Sequence, residues 1–300
     1  MRVVSAIVER AGERLDVAVS RASGVSRSQA ARLVDAGAVR VGGVVRPRSY
    51  RVEAGDRLEI EAPDPAPPPA PEDIPVPVVY EDEWLLVVAK PAGLVVHPAP
   101  GHPSGTLVNA LLARAGRLPG EALRPGIVHR LDAGTSGLMI VAKEEDAFER
   151  LREMMAAREI SRTYLALVEG APSAAGEIDA PVGRSARHRK KMAVVTTGKE
   201  ARTSYRRLEA FRDTALLEIK PRTGRTHQIR VHLAAAGHPV VGDAVYGRDR
   251  KLAARLGLKR PFLHASALAF SHPMTGEGLA LTEPLPADLQ QVLSSVRGGA

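Results

Sequence analysis

A proline-rich stretch divides the chain into two unequal parts. Residues 62 to 77 read APDPAPPPAPEDIPVP and hold eight prolines in sixteen positions. Proline has no backbone N–H to donate within a helix or an internal strand, so regular structure is excluded here. We predict a semi-rigid linker at this place, between a small domain at residues 1 to 61 and a larger domain at residues 78 to 300.

The small domain has the pattern of short helices packed on a small sheet. Ser28 is predicted to cap a helix that ends at Gly37. Residues 39 to 45, VRVGGVV, place two glycines between β-branched runs, which is typical of a hairpin with a two-residue turn. Residues 55 to 62, GDRLEIEA, supply one more strand. A small α/β domain follows.

The larger domain mixes strands and helices without a regular βαβ alternation, which predicts an α+β fold. One helix follows the second of its predicted strands and places Phe148, Leu151 and Met155 on one face. Another begins near Thr226 and stops at Gly237. The predicted strands are Trp84–Ala89, Leu138–Ala142, Thr163–Val168 and Ala215–Ile219.

The charge balance indicates a polyanionic partner. Lys and Arg number 42 against 34 Asp and Glu, which gives a net charge of +8 and a pI near 10.0. Basic contacts to phosphates release counterions, so nucleic acid is the expected partner, although a GC-rich genome also enriches Arg. The chain has no cysteine, which excludes disulfides and thiolate zinc sites. It has no secretory or membrane-spanning pattern, and we expect a cytoplasmic protein that does not bind membranes.

Residues 127 to 143, IVHRLDAGTSGLMIVAK, carry the first cluster of reactive side chains. His129, Arg130 and Asp132 lie in a bend just ahead of an apolar strand, and loops held by a rigid strand are where reactive groups concentrate. Taken alone, the same residues also fit a capped turn with a local ion pair.

Residues 221 to 232, PRTGRTHQIRVH, carry a second, basic cluster. It lies on a loop and a first helical turn, where free N–H groups favour anions. We expect the carboxylate of the first cluster and arginines of this one to form a buried pair in a cleft that attracts phosphate. His129 joins them in binding the substrate. The second cluster consists of Arg222, Arg225, His227 and Arg230.

A metal site is not expected. His227 and His232 are five residues apart, a spacing that does not bring them to one face of a helix, and no acidic residue is near them in the sequence. This pattern argues against a metal hydrolase.

Residues 14 to 60 resemble the S4 domain of ribosomal proteins and RNA-modifying enzymes, in the order of helix, glycine stop and hairpin. The resemblance implies that one face of this domain touches the RNA backbone. The alternative is a basic surface that only keeps a small domain soluble. The residues implied to dock RNA are Arg14, Arg27, Ser28, Arg32 and Arg40.

Residues 75 to 285 resemble the RluA family of pseudouridine synthases. The blocks that carry the resemblance occur in the family's order and are HRLD with GTSGLMIVAK, RTYLALVEG, PRTGRTHQIRVHLAAAGHPVVGDAVYG and FLHASALAFSHPMTGE. The resemblance implies a pseudouridine synthase fold with a mixed, largely antiparallel central sheet and a catalytic cleft. Together with the S4-like domain, it implies the RluD-type enzymes, which modify large-subunit ribosomal RNA.

The resemblance also assigns roles to single residues. Asp132 matches the catalytic aspartate, and Arg130 matches the arginine that supports a flipped nucleotide. Tyr164 matches the tyrosine that packs against the target base and is implied to help remove the C5 proton. Arg225 matches the basic partner of the aspartate, and Leu263 an aliphatic wall of the pocket.

The implied chemistry agrees with these residue types. The N1–C1′ bond breaks, the uracil turns and C5 joins C1′, so a carboxylate must act at an electron-poor sugar, either as a nucleophile or as a base. A stacked uridine is out of reach and must be unpaired or flipped out. No redox step or phosphoryl donor is involved, and no cofactor is expected. A basic run, ARHRKKMAV, is interpreted as an RNA-clamping loop rather than a merely solvated one, through Arg187, Arg189 and Lys190.

Two other functions remain open at this stage. One is the same reaction on transfer RNA, and the other is a non-catalytic RNA-binding factor in ribosome assembly. The S4-like domain favours a large folded RNA, free or in a pre-ribosomal particle, because a second docking site raises the effective concentration. A monomer is the default expectation.

Overall fold

The computed structural model describes residues 1–64, 67–99, 101–188 and 191–299. The chain forms two compact units, unit 1 at residues 1–68 and unit 2 at residues 69–300. The division lies within the predicted linker. The second half of that segment belongs to unit 2, because the Asn109 side chain donates to the carbonyl of Ala70 at 2.7 Å and the carboxylate of Glu72 accepts from the Gly105 N–H at 3.1 Å.

Unit 1 is a small sheet covered by two helices. The elements are β1 (Arg2–Ile7), α1 (Leu15–Ser23), α2 (Arg27–Asp35), β2 (Val39–Val41), β3 (Val44–Val45) and β4 (Arg57–Ala62). The strands pair antiparallel in the order β1-β4-β2-β3, and apolar residues of both helices pack on β2 and β4. Leu15 of α1 and Ile60 of β4 are fully buried in this core.

Helix α2 begins two residues earlier than predicted. Ser26, not Ser28, is its N-cap: the Ser26 side chain accepts from the Gln29 N–H, and the Gln29 side chain accepts from the Ser26 N–H. This reciprocal capping box needs Gln or Glu three residues after the serine, which Ser26 has and Ser28 lacks. The predicted stop is confirmed, since Gly37 has the left-handed φ of 75°.

Unit 2 contains eleven strands and five helices in its described part. The elements are β5 (Val78–Glu81), β6 (Leu85–Lys90), α3 (Leu107–Ala115), β7 (Ser136–Ala142), α4 (Glu145–Ala157), β8 (Ser161–Glu169), β9 (Ala175–Asp179), β10 (Val182–Arg184), β11 (Met192–Val194), β12 (Arg202–Ala210), β13 (Thr214–Pro221), α5 (Gln228–Ala235), α6 (Arg250–Arg255), β14 (Leu263–Ser271), β15 (Gly278–Thr282) and α7 (Ala287–Arg297).

The central sheet of unit 2 is mixed and largely antiparallel, as predicted. Its order is β5-β6-β7-β14-β8-β13-β12-β9, with β15 on β14, and β7 with β14 is its parallel pair. These two strands approach closely at Gly137, where a Cβ would lie 2.2 Å from the carbonyl oxygen of Ala265 and φ is 112°. A glycine is therefore required there.

Helices cover both faces of this sheet, so its inner strands are apolar on both sides. On β6, Leu86 packs with Leu107 of α3 and Leu233 of α5, whereas Leu85 packs with Leu151 of α4 on the other face. Helices α6 and α7 cover that second face further along. The α+β prediction is confirmed, and each of the four predicted strands lies within one residue or two of β6, β7, β8 or β13.

Within the described ranges, no helix has the length and apolar character needed to cross a bilayer.

Candidate active site

A cavity of about 370 Å³ in unit 2 gathers most of the predicted site residues. This volume is in the range of small-molecule sites. Its wall includes the loop before β7, parts of α4 and β8, the first residue of β14, and the segment that leads into α5 with the first turn of that helix. Asp132, Tyr164, Leu263 and Arg230 all line it, although they lie far apart in the sequence.

The loop that carries Asp132 is held by its backbone. The Asp132 carbonyl accepts from the Thr135 N–H at 3.0 Å. The next carbonyl, that of Ala133, accepts from the Gly93 N–H at 2.7 Å and from the ammonium of Lys90 at 3.2 Å. Lys90 is almost fully buried, and burial lowers its pKa to about 8. The carboxylate itself remains 18% exposed and faces the cavity.

The ion-pair partner of Asp132 is Arg230. Its Nη1 donates to Oδ2 of Asp132 at 2.9 Å. The prediction that Arg225 holds this position is corrected, because the Nε of Arg225 donates to the carbonyl of Glu200 at 3.0 Å, although the residue still lines the cavity. The reason is local geometry: Arg225 precedes α5 and is exposed, whereas Arg230 lies inside the helix on its buried side.

A second carboxylate clamps Arg230 from behind. Asp243, whose side chain is fully buried, accepts from Nε at 2.6 Å and from Nη2 at 2.8 Å. Burial alone would raise the pKa of Asp243, but the bonds from Arg230 and from the N–H groups of Val245 and Tyr246 hold it below its ordinary value. Burial opposes the charge of Arg230, yet both carboxylates together raise its pKa above the ordinary value. The guanidinium is fixed in one orientation.

His227 faces the other oxygen of the Asp132 carboxylate. Its Nε2 lies 3.9 Å from Oδ1, and its Nδ1 lies 2.9 Å from the hydroxyl of Tyr246. Burial lowers the pKa of His227, with Arg230 adding to the effect and Asp132 opposing it. The imidazole is therefore neutral near pH 7.

His129 supports the same loop from inside. Its Nε2 accepts from the Ile140 N–H at 2.9 Å, so its one proton resides on Nδ1, and this nitrogen is buried with no hydrogen-bond partner among the described residues. Burial lowers its pKa to about 3, with the nearby charge of Arg162 acting in the same direction. The neutral ring lines the cavity, although its Nδ1 is shielded from solvent.

Tyr164 and Leu263 form the apolar wall. They lie in β8 and β14, neighbouring strands of the sheet, and are 6% and 3% exposed. Burial raises the pKa of the Tyr164 hydroxyl, and the negative charge of Asp132 adds to this effect while Arg162 opposes it. The wall thus offers a flat ring and a branched side chain, which suit the two faces of a planar base.

Three arginines of the cavity wall have no carboxylate partner in the described part of the chain. Arg130 and Arg225 are exposed, and Arg162 is partly buried with its Nε shielded from water. Free guanidinium groups at a cavity mouth attract phosphate. Arg222, predicted to bind substrate, is exposed and is not among the residues that line the cavity.

The predicted RNA-docking residues of unit 1 differ in their bonding. Arg14 and Arg27 both donate to Asp16, at 2.9 and 3.1 Å. Arg32 and Arg40 are exposed and form no ion pair with any described residue. Ser28 is also exposed, and its hydroxyl lies 3.2 Å from that of Ser26. Two arginines without an ion pair and two that share the carboxylate of Asp16 are thus the candidates for contacts with a phosphate backbone.

The predicted clamping loop joins β10 to β11. Arg187 is exposed in it, while Arg189 and Lys190 lie outside the described residues. The loop is attached to the segment after α5, since Lys191 Nζ donates to the carbonyl of Val245 at 3.0 Å and the Met192 N–H donates to the Tyr246 hydroxyl at 3.0 Å. No cluster of three or more His, Asp or Glu side chains suited to a metal ion occurs in the ranges that the structure describes.

Sequence reasoning missed Asp243 and Tyr246. Both belong to the quoted segment HPVVGDAVYG, and the available signal was a single acidic residue within an apolar stretch, where an unpaired carboxylate is costly. A buried acid of this kind requires a cation, and the sequence holds too many arginines to say which one.

Comparisons with known proteins place the chain among RNA-modifying enzymes. The family model for RNA pseudouridylate synthase matches residues 84–235, and the model for the S4 domain matches residues 13–58. An uncharacterised RNA pseudouridine synthase of Chloroflexus aurantiacus is 49% identical over 100% of this chain and 95% of its own length. A protein of Pseudomonas aeruginosa named ribosomal large subunit pseudouridine synthase D is 45% identical over 96% and 93%. The solved human RNA pseudouridylate synthase domain containing 4 is 28% identical, covers 74% of this chain and 93% of its own, and superposes with a TM-score of 0.60.

Proposed function

Because this chain belongs to the family of RNA pseudouridylate synthases, we propose that it converts uridine to pseudouridine in large-subunit ribosomal RNA and that Asp132 is the reacting carboxylate. The observation that carries the catalytic assignment is the Asp132–Arg230–Asp243 array at the floor of the cavity. The reaction needs a carboxylate there, and the buried guanidinium of Arg230 is its charged hydrogen-bond partner at 2.9 Å.

Asp132 acts on the sugar. The N1–C1′ bond breaks, the freed uracil turns, a C5–C1′ bond forms, and the hydrogen of C5 is lost to a base while N1 gains a proton. The carboxylate serves this sequence either by adding to C1′ or by removing a sugar proton. Both routes require an available lone pair on one carboxylate oxygen, and Oδ1 is that oxygen, because Arg230 bonds to Oδ2.

Tyr164 and Leu263 hold the base while it turns. A ring and a branched aliphatic group grip a planar uracil without fixing its rotation, which the reaction needs. Arg130, exposed at the mouth of the cavity, supports the stack that the target nucleotide leaves. The neutral ring of His129 and the cations of Arg162 and Arg225 complete the cavity wall, and the two cations attract phosphate oxygens.

Unit 1 docks the ribosomal RNA. The match to the S4 domain and the free guanidinium groups of Arg32 and Arg40 support this role, with Arg14, Arg27 and Ser28 beside them on the same domain. Arg187 extends the contact from the β10–β11 loop. The relatives named for the large subunit span nearly the whole of this chain, including the S4 domain. An enzyme of this kind works in the cytoplasm, and we expect a monomer.

The test is a deletion and complementation experiment in the host. Pseudouridines in ribosomal and transfer RNA are mapped by carbodiimide-dependent reverse-transcription stops after the gene is deleted and restored as wild type, Asp132→Asn or Asp73→Asn. Asp73 is an exposed carboxylate outside the cavity and is the matched control. We expect large-subunit stops to vanish on deletion and to return with wild type and Asp73→Asn, but not with Asp132→Asn.

Two outcomes would contradict the proposal in different ways. Stops lost from transfer RNA would keep the reaction and change the substrate. If no stop changes in either RNA, the protein acts as a binding factor and the role of Asp132 is lost.

A further inference from the structure

The hydroxyl of Tyr246 stands between a loop and the catalytic carboxylate. It accepts from the Met192 N–H at 3.0 Å and lies 2.9 Å from Nδ1 of His227. The Tyr246 ring lies edge-on to the imidazole, at 5.7 Å between centroids, and its centroid is 5.1 Å from Cζ of Arg230. Tyr246 thus touches both groups that face the Asp132 carboxylate.

Hydrogen-bond accounting selects one tautomer of His227. The hydroxyl of Tyr246 has one hydrogen and already accepts from Met192, so it is free to donate to Nδ1. A neutral imidazole that accepts at Nδ1 carries its proton on Nε2, which is the atom that faces Oδ1 of Asp132. The opposite tautomer would point a nitrogen lone pair at a carboxylate and leave the Tyr246 hydrogen without an acceptor among the described residues.

The backbone of His227 is consistent with a functional constraint on this side chain. His227 has a φ of 56° and is the N-cap of α5, with one other non-glycine residue at positive φ in the described chain. The left-handed conformation is costly for a residue with a Cβ and persists where the surroundings impose it. Here it directs the imidazole to the space between Tyr246 and Asp132.

We propose that Tyr246 is a positioning residue for the reaction, which holds His227 in the tautomer whose Nε2–H faces the Asp132 carboxylate. This inference rests on the proposed role of Asp132. At 3.9 Å the pair is too long for a hydrogen bond in the free enzyme, and it closes when the nucleotide displaces water from the cavity. Oδ2 then keeps the bond from Arg230, and the neutral donor at Oδ1 orients the carboxylate toward the sugar.

The hydroxyl of Tyr246 also connects His227 to the β10–β11 loop. Its acceptor role is filled by Met192 of β11, and Lys191 of the adjoining loop bonds to the carbonyl of Val245. The backbone of Tyr246 is fixed independently, because Asp243 accepts from its N–H at 3.1 Å. Loss of the hydroxyl therefore releases His227 and one loop contact while the main chain stays in place.

The first experiment observes the tautomer directly. Full-length protein is labelled with ¹⁵N-histidine, the His227 signals are assigned by their absence in His227→Asn, and the two ring nitrogens are read by long-range ¹H–¹⁵N correlation at neutral pH. We expect a single neutral tautomer with the proton on Nε2 in the wild type. In Tyr246→Phe, which keeps the ring on Arg230, the two tautomers should become mixed.

The second experiment measures the consequence for the reaction. Single-turnover release of the C5 hydrogen from tritiated ribosomal RNA is compared for wild type, Tyr246→Phe, His227→Asn and the double variant. Asn tolerates the left-handed backbone, so His227→Asn tests the side chain alone. We expect Tyr246→Phe to lower the rate constant about tenfold, the effect of one hydrogen bond, with RNA affinity within about twofold of wild type. The double variant should be no slower than His227→Asn.

Tyr205→Phe is the matched control, because Tyr205 bonds to Ser173 and lies outside the cavity. The proposal is overturned by a wild-type Nδ1–H tautomer, by an unchanged rate in Tyr246→Phe, or by effects of the two substitutions that multiply. Weakened RNA binding at an unchanged rate would make Tyr246 a loop anchor only. The tautomer measurement needs no turnover, so its failure is distinct from a failure of Asp132 to catalyse the reaction.

Discussion

Arg32 and Arg40 of unit 1 differ from Arg230 of unit 2 in their burial and in whether they form ion pairs. In unit 1, Arg32 and Arg40 are exposed and carry no ion pair within the described chain. In unit 2, the side chain of Arg230 is 8% exposed, and each of its three guanidinium nitrogens donates to a carboxylate of Asp132 or Asp243. The exposed arginines are not held by an ion pair, whereas bonds to two carboxylates fix the orientation of Arg230.

Burial and ion pairing determine what each arginine contributes to function. An exposed guanidinium contributes charge, which attracts a phosphate backbone from many positions and is screened by salt. A buried guanidinium between two carboxylates contributes geometry, because any shift breaks a charge-assisted bond in a poorly solvated place. In the proposed function, the exposed arginines attract the RNA, and the fixed guanidinium of Arg230 positions the Asp132 carboxylate against the sugar.

Loss of the buried arginine should have the largest effect. Arg230→Met leaves Asp243 buried without a cation, and we expect the free energy of unfolding to fall by about 3 to 5 kcal/mol. The single-turnover rate should fall roughly 10²-fold, since about 3 kcal/mol of charge-assisted bonding to Asp132 is removed. Urea unfolding and tritium release measure the two effects. Arg230→Lys keeps the charge but not the planar guanidinium, and its rate and stability should lie between those of the wild type and Arg230→Met. An active and stable Arg230→Met would refute the geometric role of Arg230.

The buried histidine should make stability depend on pH. The pKa of His129 is about 3 in the folded protein and 6.5 in its ordinary environment, so the unfolded chain binds a proton first as the pH falls. The contribution of His129 to the free energy of unfolding is therefore fully present above about pH 6.5 and is lost progressively toward pH 3. About 3 kcal/mol of it is lost by pH 4. His129→Gln keeps an acceptor for the Ile140 N–H but does not titrate. The difference between the two unfolding curves should shrink on acidification, and a constant difference would contradict this assignment.

The exposed arginines of unit 1 should change RNA affinity and leave chemistry alone. For Arg32→Ala/Arg40→Ala, the slope of log K against log salt should fall by about two for the two lost phosphate contacts. Filter binding at several salt concentrations measures the slope, and the single-turnover rate at saturating enzyme should match wild type. Arg206→Ala/Arg255→Ala removes the same charge from arginines already paired with Glu218 and Asp213. Equal salt slopes for the two double variants would mean that RNA affinity depends on net charge and not on a docking surface of unit 1.

The smallest effect is expected at the β10–β11 loop. Arg187→Ala removes one exposed cation, so the salt slope should fall by about one and KM should rise modestly at an unchanged kcat. Steady-state kinetics at two salt concentrations separates the constants. A fall in kcat would instead mean that the loop acts on the cavity through Tyr246.

Sequence patterns predicted the elements that rest on local chemistry. Three such elements occur where expected: the glycine stop at Gly37, the hairpin turn at Gly42 and Gly43, and the amphipathic helix through Leu151. Each depends on residues that are close together in the sequence. The displaced cap of α2 has the same origin: two serines stand two positions apart, and the glutamine three residues after Ser26 selects between them.

The assignment of the arginine partner failed for a different reason. Arg225 and Arg230 both belong to one basic motif, five residues apart, and spacing alone does not say which meets the carboxylate. The choice is made by the left-handed turn at His227, after which α5 directs Arg230 inward while Arg225 remains outside it.

The family, the division at the prolines, the α+β class and the loop that carries Asp132 could all be predicted from the sequence, since each depends on contiguous residues. The hydrogen bonds and ion pairs of the site could not, because they join residues that are far apart in the chain. Arg230 reaches Asp132 across 98 positions of chain, and Tyr246 reaches Met192 across 54. Such contacts depend on how strands and helices pack, and a buried charge accepts whichever partner that packing brings within hydrogen-bond distance.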